Sequence, residues 1–192
     1  MYITRRINIG SLEGDASRVG FINQYSLSTP FDISTATLIS TTQLTEPGET
    51  NSTFAFLPHA IEFKPDGTRL FAIKNTGTLV YQYDLSTAWD VSTISFDTKY
   101  DVSDESQLRS IDFKPDGSRM YVTGQQNKKI KEYSLSTTWD VTTSNVTHVR
   151  DSAALTSTDN NPRNIQFSEN GKELYYAGTV SYTHLTLPTI SD

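Results

Sequence analysis

The chain carries Ile-Asp-Phe-Lys-Pro-Asp-Gly at residues 111–117 and, 50 positions earlier, Ile-Glu-Phe-Lys-Pro-Asp-Gly at residues 61–67. The similarity continues along the chain. Tyr-Asp-Leu-Ser-Thr-Ala-Trp-Asp-Val at residues 83–91 returns as Tyr-Ser-Leu-Ser-Thr-Thr-Trp-Asp-Val at residues 133–141. A repeat of about 40 to 50 residues with strand-like content is typical of a β-propeller or a similar array.

Each repeat unit is predicted to form one four-stranded blade. Ile111 and Phe113 alternate with a polar residue, as in a half-buried strand. Lys-Pro-Asp-Gly is turn chemistry, because proline fixes φ, aspartate bonds its own backbone and glycine accepts a positive φ. Residues 120–123 and 130–135 read as the second and third strands, and a weaker fourth strand lies within 141–149. Four antiparallel strands make a propeller blade.

Two further partial copies extend the array. The turn returns in altered form as Ile-Gln-Phe-Ser-Glu-Asn-Gly at residues 165–171, and the third-strand motif appears early, at residues 24–33. The fold class predicted is therefore all-β, an incomplete β-propeller ring of three to four antiparallel blades of about 50 residues. The predicted units are a partial blade at 1–58, blades at 59–108 and 109–162, and a partial blade at 163–179.

Both ends of the chain depart from the repeat. Residues 1–4 match the second strand at 120–123, so we expect the chain to begin inside a blade. The alternative is a ring that closes by pairing an N-terminal strand with a C-terminal blade. Residues 180–189 resemble the translation of a transposon-end sequencing adapter, and residues 180–192 are therefore predicted to be a non-native tail. A divergent third strand is the alternative.

Composition and missing motifs argue against several classes of function. The chain of 192 residues has no cysteine. Its formal net charge is −6, and this acidic balance argues against nucleic-acid binding. It has no apolar run of membrane-spanning length. It also lacks a Gly-x-Ser-x-Gly elbow, a His-Glu-x-x-His motif and a phosphate-binding glycine loop. The enzyme case is weakened but stays open, because propeller enzymes assemble sites from single residues on several blades.

One register position suggests a ligand site. The residues four positions before the first-strand phenylalanine are His59, Arg109 and Arg163. The start of the innermost strand faces the central channel of a propeller or its mouth, so three such side chains could bind an anionic ligand. The alternative is that they are solvated residues that cap blade ends or pair with nearby acids.

Other recurring residues have structural interpretations. The Asp-Gly pairs at 66–67 and 116–117 are turn formers, and no acidic loop has the spacing of a calcium site, so neither a metal nor a cofactor is predicted. Trp89 and Trp139 recur at one blade position. There we expect them to fill the gap between blades, with sugar binding as the less favoured alternative.

Two family resemblances bear on function. The strand–turn–strand segment at residues 161–176 resembles that of lactonase-like propellers and their bacterial surface-protein relatives. The Tyr-Ser-Leu-Ser-Thr-x-Trp-Asp-Val segment is similar to repeats of marine phage virion and tail proteins and of some marine bacterial proteins. The chain departs from WD-type repeats, since no Gly-His pair precedes its blades. In lactonase-like enzymes the ligand binds where the inner strands begin, so that resemblance implies a pocket at the three register residues.

The sequence leaves two main hypotheses for function. The first is a non-catalytic binding or structural module of a virion, secreted or surface protein, located on a virion or outside the cell, with an unknown protein or glycan partner. Closely similar repeats favour it, because blades of an enzyme usually diverge around one asymmetric site. The alternative is a lactonase-like hydrolase with an axial pocket near His59, Arg109 and Arg163. A peptide-binding hub is not separated from the first hypothesis.

Overall fold

Short β-strands dominate the described chain. The computed structural model describes residues 2–8, 18–45, 58–74, 77–103, 105–152 and 159–180. Helical structure in these ranges is limited to three 3-10 turns, at Ile33–Thr35, Val91–Thr93 and Thr143–Asn145. The all-β class predicted from the repeat is confirmed. The strands are β1 Tyr2–Asn8, β2 Arg18–Leu27, β3 Ala36–Gln43, β4 Pro58–Phe63, β5 Arg69–Lys74, β6 Leu79–Leu85, β7 Ile94–Asp101, β8 Leu108–Phe113, β9 Arg119–Gly124, β10 Ile130–Leu135, β11 Val146–Asp151, β12 Asp159–Phe167 and β13 Leu174–Val180.

The strands form four antiparallel sheets in chain order. The first sheet is β1-β2-β3, the second β4-β5-β6-β7, the third β8-β9-β10-β11 and the fourth β12-β13. Strand β8 contacts both β4 and β12, so the leading strands of successive sheets are neighbours. This is the arrangement of propeller blades around an axis. Val180, the first residue of the predicted tail, is the last residue of β13, and the rest of that tail lies outside the described residues.

The repeated turn adopts the conformation that its residues predict. Gly67 and Gly117 have φ of 73° and 72°, in the left-handed region that glycine tolerates. Asp66 accepts from the backbone N–H of Thr68 at 3.0 Å and pairs with Lys64 at 2.7 Å. The hydrogen bond from Lys64, followed by those from Thr68, lowers the pKa of Asp66. The aspartate of this turn therefore has a structural role, since its carboxylate stabilises the turn.

The core lies between sheets and not within one of them. One face of the second sheet packs on the first sheet through a cluster that includes Ile22, Leu70 and Val91. Its other face packs on the third sheet through a cluster that includes Phe71 and Phe113. Since each sheet buries its faces only against its neighbours, the repeats depend on one another for stability.

The two tryptophans differ in how far they enter these interfaces. Trp139 is 7% exposed, stacks on Phe113 with ring centroids 5.0 Å apart, and lies 6.2 Å from Phe71 of the preceding sheet. The prediction that it fills the gap between blades is confirmed. Trp89 packs on Phe63 at 5.3 Å but is 42% exposed.

No helical segment in the described ranges has the length and hydropathy needed to cross a membrane.

Candidate active site

The three leading strands share one irregularity at the same register. In β4 the pair Pro58–Lys74 is followed by Ala60–Ile73, so one residue is left between them without a partner on β5. The same shift occurs after Leu108 in β8 and after Pro162 in β12. The extra residues are His59, Arg109 and Arg163. A β-bulge redirects a side chain and is common beside active sites, so the predicted set lies on a repeated structural device.

His59 and Arg109 are in direct contact. Nη1 of Arg109 donates to Nε2 of His59 at 3.2 Å, and Nδ1 of His59 lies 3.0 Å from the backbone oxygen of Arg109. Because a guanidinium can only donate, Nε2 must accept, which leaves the proton on Nδ1 to be donated to the carbonyl. This pair of contacts fits a neutral His59. Arg109 also donates to the side-chain oxygens of Gln107 at 3.1 Å and Gln125 at 2.5 Å.

Arg163 completes the cationic group from the fourth sheet. Its side chain is exposed. Burial is the main cause that lowers the pKa of Arg109, and the positive charge of Arg163 is the second cause. An arginine remains charged at any ordinary pH, so two guanidinium groups face one region at the start of β8 and β12. We call Arg109 and Arg163, together with the neutral His59 beside them, the cationic cluster.

A polar cavity of about 370 Å³ lies farther along the same strands. Alternate residues of each strand share a face, which places Glu62, Asp112 and Gln166 at equivalent positions of β4, β8 and β12. All three line the cavity. We call it the acidic cavity. The sequence analysis missed these three residues, although each of them immediately precedes the first-strand phenylalanine of its own repeat.

Asp112 joins two sheets. Its Oδ1 accepts from the backbone N–H of Phe113 and its Oδ2 from that of Phe167 in β12, both at 2.8 Å. Ser110 acts alongside it, donating to Oδ1 of Asn164 at 2.7 Å and accepting from the backbone N–H of Ile165 at 3.2 Å. Burial raises the pKa of Asp112 and the two backbone donors lower it, with burial the larger effect.

Glu62 is the group best suited to acid–base chemistry. Burial, and secondly the negative charge of Asp112, raise its pKa to about 7. The described residues make no hydrogen bond to its carboxyl group, in contrast to Asp112. A carboxyl group with a pKa near the working pH is present in both protonation states, which is what a general acid or base requires. A strongly shifted pKa in a cleft marks a candidate functional residue.

A metal centre has no support in the described ranges. No group of three or more histidine, aspartate or glutamate side chains in those ranges is placed to hold an ion. The candidate site therefore consists of the acidic cavity and the cationic cluster. Both lie on β4, β8 and β12, at two different positions along these strands.

Comparison with known proteins identifies the fold. The family model described as "Lactonase, 7-bladed beta-propeller" matches residues 20–183 and so confirms the predicted propeller. That match continues four residues into the tail predicted to be non-native. Among proteins of curated function, none matches the chain.

Solved structures give the same result. A 6-phosphogluconolactonase candidate from Bacteroides uniformis superposes with a TM-score of 0.57 at 16% identity, over 88% of this chain and 49% of that one. A Lactobacillus plantarum protein gives 0.56 at 21% identity, over 84% and 44%. The periplasmic gluconolactonase of Pseudomonas aeruginosa gives 0.51 at 14% identity, over 84% and 48%. The chain spans about half the length of these structures, and identities this low show a shared fold alone.

Proposed function

We propose that this chain, which belongs to the seven-bladed β-propeller lactonase family, hydrolyses a sugar lactone in the acidic cavity around Glu62. The observation that carries the proposal is the pKa of Glu62, which burial and the Asp112 charge raise to about 7 within a polar cavity on the leading strands. The family membership and the gluconolactonase neighbours support the class of reaction. This reading replaces the non-catalytic module as the first hypothesis.

The chemistry needs one group that changes protonation state. Ionised Glu62 accepts a proton from water while the water oxygen bonds to the lactone carbonyl carbon. The ring carbon–oxygen bond then breaks, and the proton on Glu62 passes to the leaving ring oxygen. The product is an open-chain hydroxy acid, and the enzyme returns to its starting state. A pKa near 7 allows the same carboxyl group to act first as base and then as acid.

The cationic cluster would select an anionic substrate. His59 and Glu62 are three residues apart on β4, which corresponds to roughly 10 Å along that strand. A phosphorylated sugar lactone could therefore place its phosphate at Arg109 and Arg163 and its carbonyl at Glu62. Arginine suits this task because its planar donors match phosphate oxygens in pairs. The name of the Bacteroides uniformis neighbour, a 6-phosphogluconolactonase candidate, supports this substrate class.

Titration of the acid released from 6-phosphogluconolactone and from glucono-δ-lactone tests the proposal. Glu62→Gln keeps the size of the side chain and should reduce kcat by about 100-fold or more. Arg109→Met should raise KM for the phosphorylated lactone only. Glu173→Gln makes the same chemical change at an exposed site and should have no effect. The proposal fails if the wild type does not exceed the uncatalysed rate, or if Glu62→Gln is fully active.

A non-catalytic binding module is the second candidate. It is supported by the use of Asp112 and Ser110 in hydrogen bonds between sheets, which gives part of the cavity wall a structural role. The comparisons lend no support to a virion or phage location. In this case both lactones would be hydrolysed at the uncatalysed rate, while an anionic sugar would still bind and lose affinity in Arg109→Met.

A further inference from the structure

We propose that Glu105 is a positioning residue that makes the site selective for a phosphorylated sugar lactone over a neutral one. The inference rests on the proposed function, because it concerns how Arg109 is presented to the phosphate. Glu105 joins two loops at the start of β8, and each loop supplies a glutamine that holds Arg109. Selectivity for the anion therefore depends on a side chain that does not line the acidic cavity.

Two glutamine side chains hold the guanidinium group of Arg109. Its Nη2 donates to Oε1 of Gln107 at 3.1 Å and to Oε1 of Gln125 at 2.5 Å. This nitrogen carries two hydrogens, so both of them are used. Nη1 donates to Nε2 of His59 at 3.2 Å. Because the guanidinium group is planar, bonds at two of its nitrogens fix both its position and its plane.

The two glutamines lie on different loops. Gln107 is the last residue of the connection from β7 to β8, and Gln125 is the first residue of the hairpin between β9 and β10. The backbone N–H of Gln125 donates to the oxygen of Gln107 at 3.3 Å, so the loops meet beside Arg109. Loops are more mobile than the strands that they connect. The two amides therefore keep their positions only if the loops are joined firmly.

The carboxylate of Glu105 joins these loops. The residue is 1% exposed. Its Oε1 accepts from the backbone N–H groups of Ser106 at 3.0 Å and Gln126 at 2.8 Å, and its Oε2 accepts from that of Asn127 at 3.2 Å. A buried carboxylate costs free energy unless it is hydrogen-bonded, and here three backbone donors stabilise it. We call Glu105 and these three N–H groups the carboxylate bridge.

Gly124 makes room for the carboxylate bridge. A Cβ on Gly124 would lie 2.4 Å from Cγ and 2.6 Å from Cδ of Glu105. Its φ lies outside the left-handed region, so glycine is required here by space and not by backbone conformation. Any larger side chain at this position would displace the carboxylate of Glu105.

Gln107 has a backbone conformation that is unfavourable for its residue type. Its φ is 51°, in the left-handed region that residues with a Cβ rarely adopt. The residue is exposed, so packing in the core does not explain this conformation. Strained backbone persists only where surrounding contacts hold it, and it is concentrated at ligand sites. The bond from Arg109 and the adjacent carboxylate bridge supply those contacts.

A comparison of repeats connects the bridge with arginine. An acidic residue and a glycine stand at the same two places in the repeat of the fourth sheet, as Asp159 and Gly178. The repeat of the second sheet has Ala55 and Lys74 at these places. The pair therefore accompanies arginine in the cationic cluster and not histidine, as a role in holding a guanidinium group predicts.

An arginine that is held before the substrate arrives favours an anionic ligand. A mobile arginine side chain loses much rotational freedom when it is ordered, and here that loss occurs on folding and not on binding. When the carboxylate bridge is broken, Arg109 keeps its charge but must be ordered by the phosphate itself. Affinity for a phosphorylated lactone then falls, whereas a neutral lactone makes no phosphate contact and is bound as before.

Steady-state hydrolysis of 6-phosphogluconolactone and glucono-δ-lactone tests the proposal. Glu105→Ala and Gly124→Ala should each raise KM for the phosphorylated lactone roughly tenfold, the loss expected when one mobile side chain must be ordered on binding. Their kcat values, and KM for glucono-δ-lactone, should stay at the wild-type level. A purely structural role would instead reduce the amount of active enzyme and lower kcat for both substrates. Glu173→Ala removes an exposed carboxyl group and should change neither constant.

Gln125→Ala changes a partly exposed side chain and leaves the carboxylate bridge in place, so this variant should fold normally. It should raise KM for the phosphorylated lactone alone, as the bridge variants do. Glu105→Gln keeps the size of the side chain and one acceptor oxygen. Its KM for the phosphorylated lactone should lie between those of the wild type and Glu105→Ala.

Calorimetry with 6-phosphogluconate, the product acid, separates this inference from the proposed hydrolysis. Glu105→Ala should weaken its binding roughly tenfold. The same change should have no further effect in the Arg109→Met variant, because the bridge acts through Arg109. A wild type that binds this acid but hydrolyses neither lactone would overturn the hydrolysis and leave this inference standing. Unchanged binding in Glu105→Ala and Gln125→Ala, an equal loss in the Arg109→Met variant, or a wild type that does not bind the acid would overturn the inference.

Discussion

Glu62 illustrates how one carboxyl group can link function to stability. Its equivalents in the repeat are Asp112, which two backbone N–H groups stabilise, and Gln166, which has no charge. Only Glu62 combines burial with a neighbouring negative charge. The same environment that makes it suitable for proton transfer therefore makes its ionised form costly to the fold.

Replacing Glu62 with glutamine should stabilise the protein increasingly as pH rises above 4.5. The pKa of Glu62 is about 7 in the folded chain against an ordinary value of 4.5, so between these values the unfolded chain loses the proton first. Stability is therefore lost as pH rises from 4.5 towards 7. Urea unfolding of Glu62→Gln should match the wild type at pH 4.5 and exceed it at pH 8 by at most about 3 kcal/mol. An equal gain in Glu173→Gln would contradict this origin.

The repeat made the strands predictable from the sequence, but not the details of the site. Turn residues and alternation predicted second and third strands at 120–123 and 130–135, close to the observed β9 and β10. The acidic cavity escaped prediction because it depends on neighbouring leading strands. Alternation alone marks Glu62 and Asp112 as ordinary outward-facing residues. The bulges at the cationic cluster also give no sequence signal, since the extra residue is histidine in one copy and arginine in two.

The connection after each third strand contributes to stability according to how deeply its tryptophan is buried. Trp139→Ala should lower the free energy of unfolding by about 3–5 kcal/mol, because the ring packs between Phe113 and Phe71. Trp89→Ala, at a site 42% exposed, should cost roughly half as much. Both residues have positive φ, so backbone strain is common to the pair and the difference reports ring burial alone. Equal losses in chemical denaturation would contradict this account.

At the scale of the whole molecule, the first and fourth sheets differ from the two sheets between them. In the second and third sheets a tryptophan covers the turn glycine. Phe31 and Ile33 are exposed on the first sheet, and Leu174 and Tyr175 on the fourth. Exposed apolar surface of this kind marks an interaction site or an aggregation hazard.

Thermal unfolding should depend on chain concentration, because exposed apolar side chains and strand edges promote non-specific association on heating. Tm should fall and light scattering should rise as the concentration of the wild type increases. Phe31→Asp replaces a fully exposed aromatic side chain and should reduce the scattering, whereas Glu173→Gln changes an exposed polar side chain and should not. A wild-type Tm and light scattering that stay constant over a tenfold range of concentration would contradict this account.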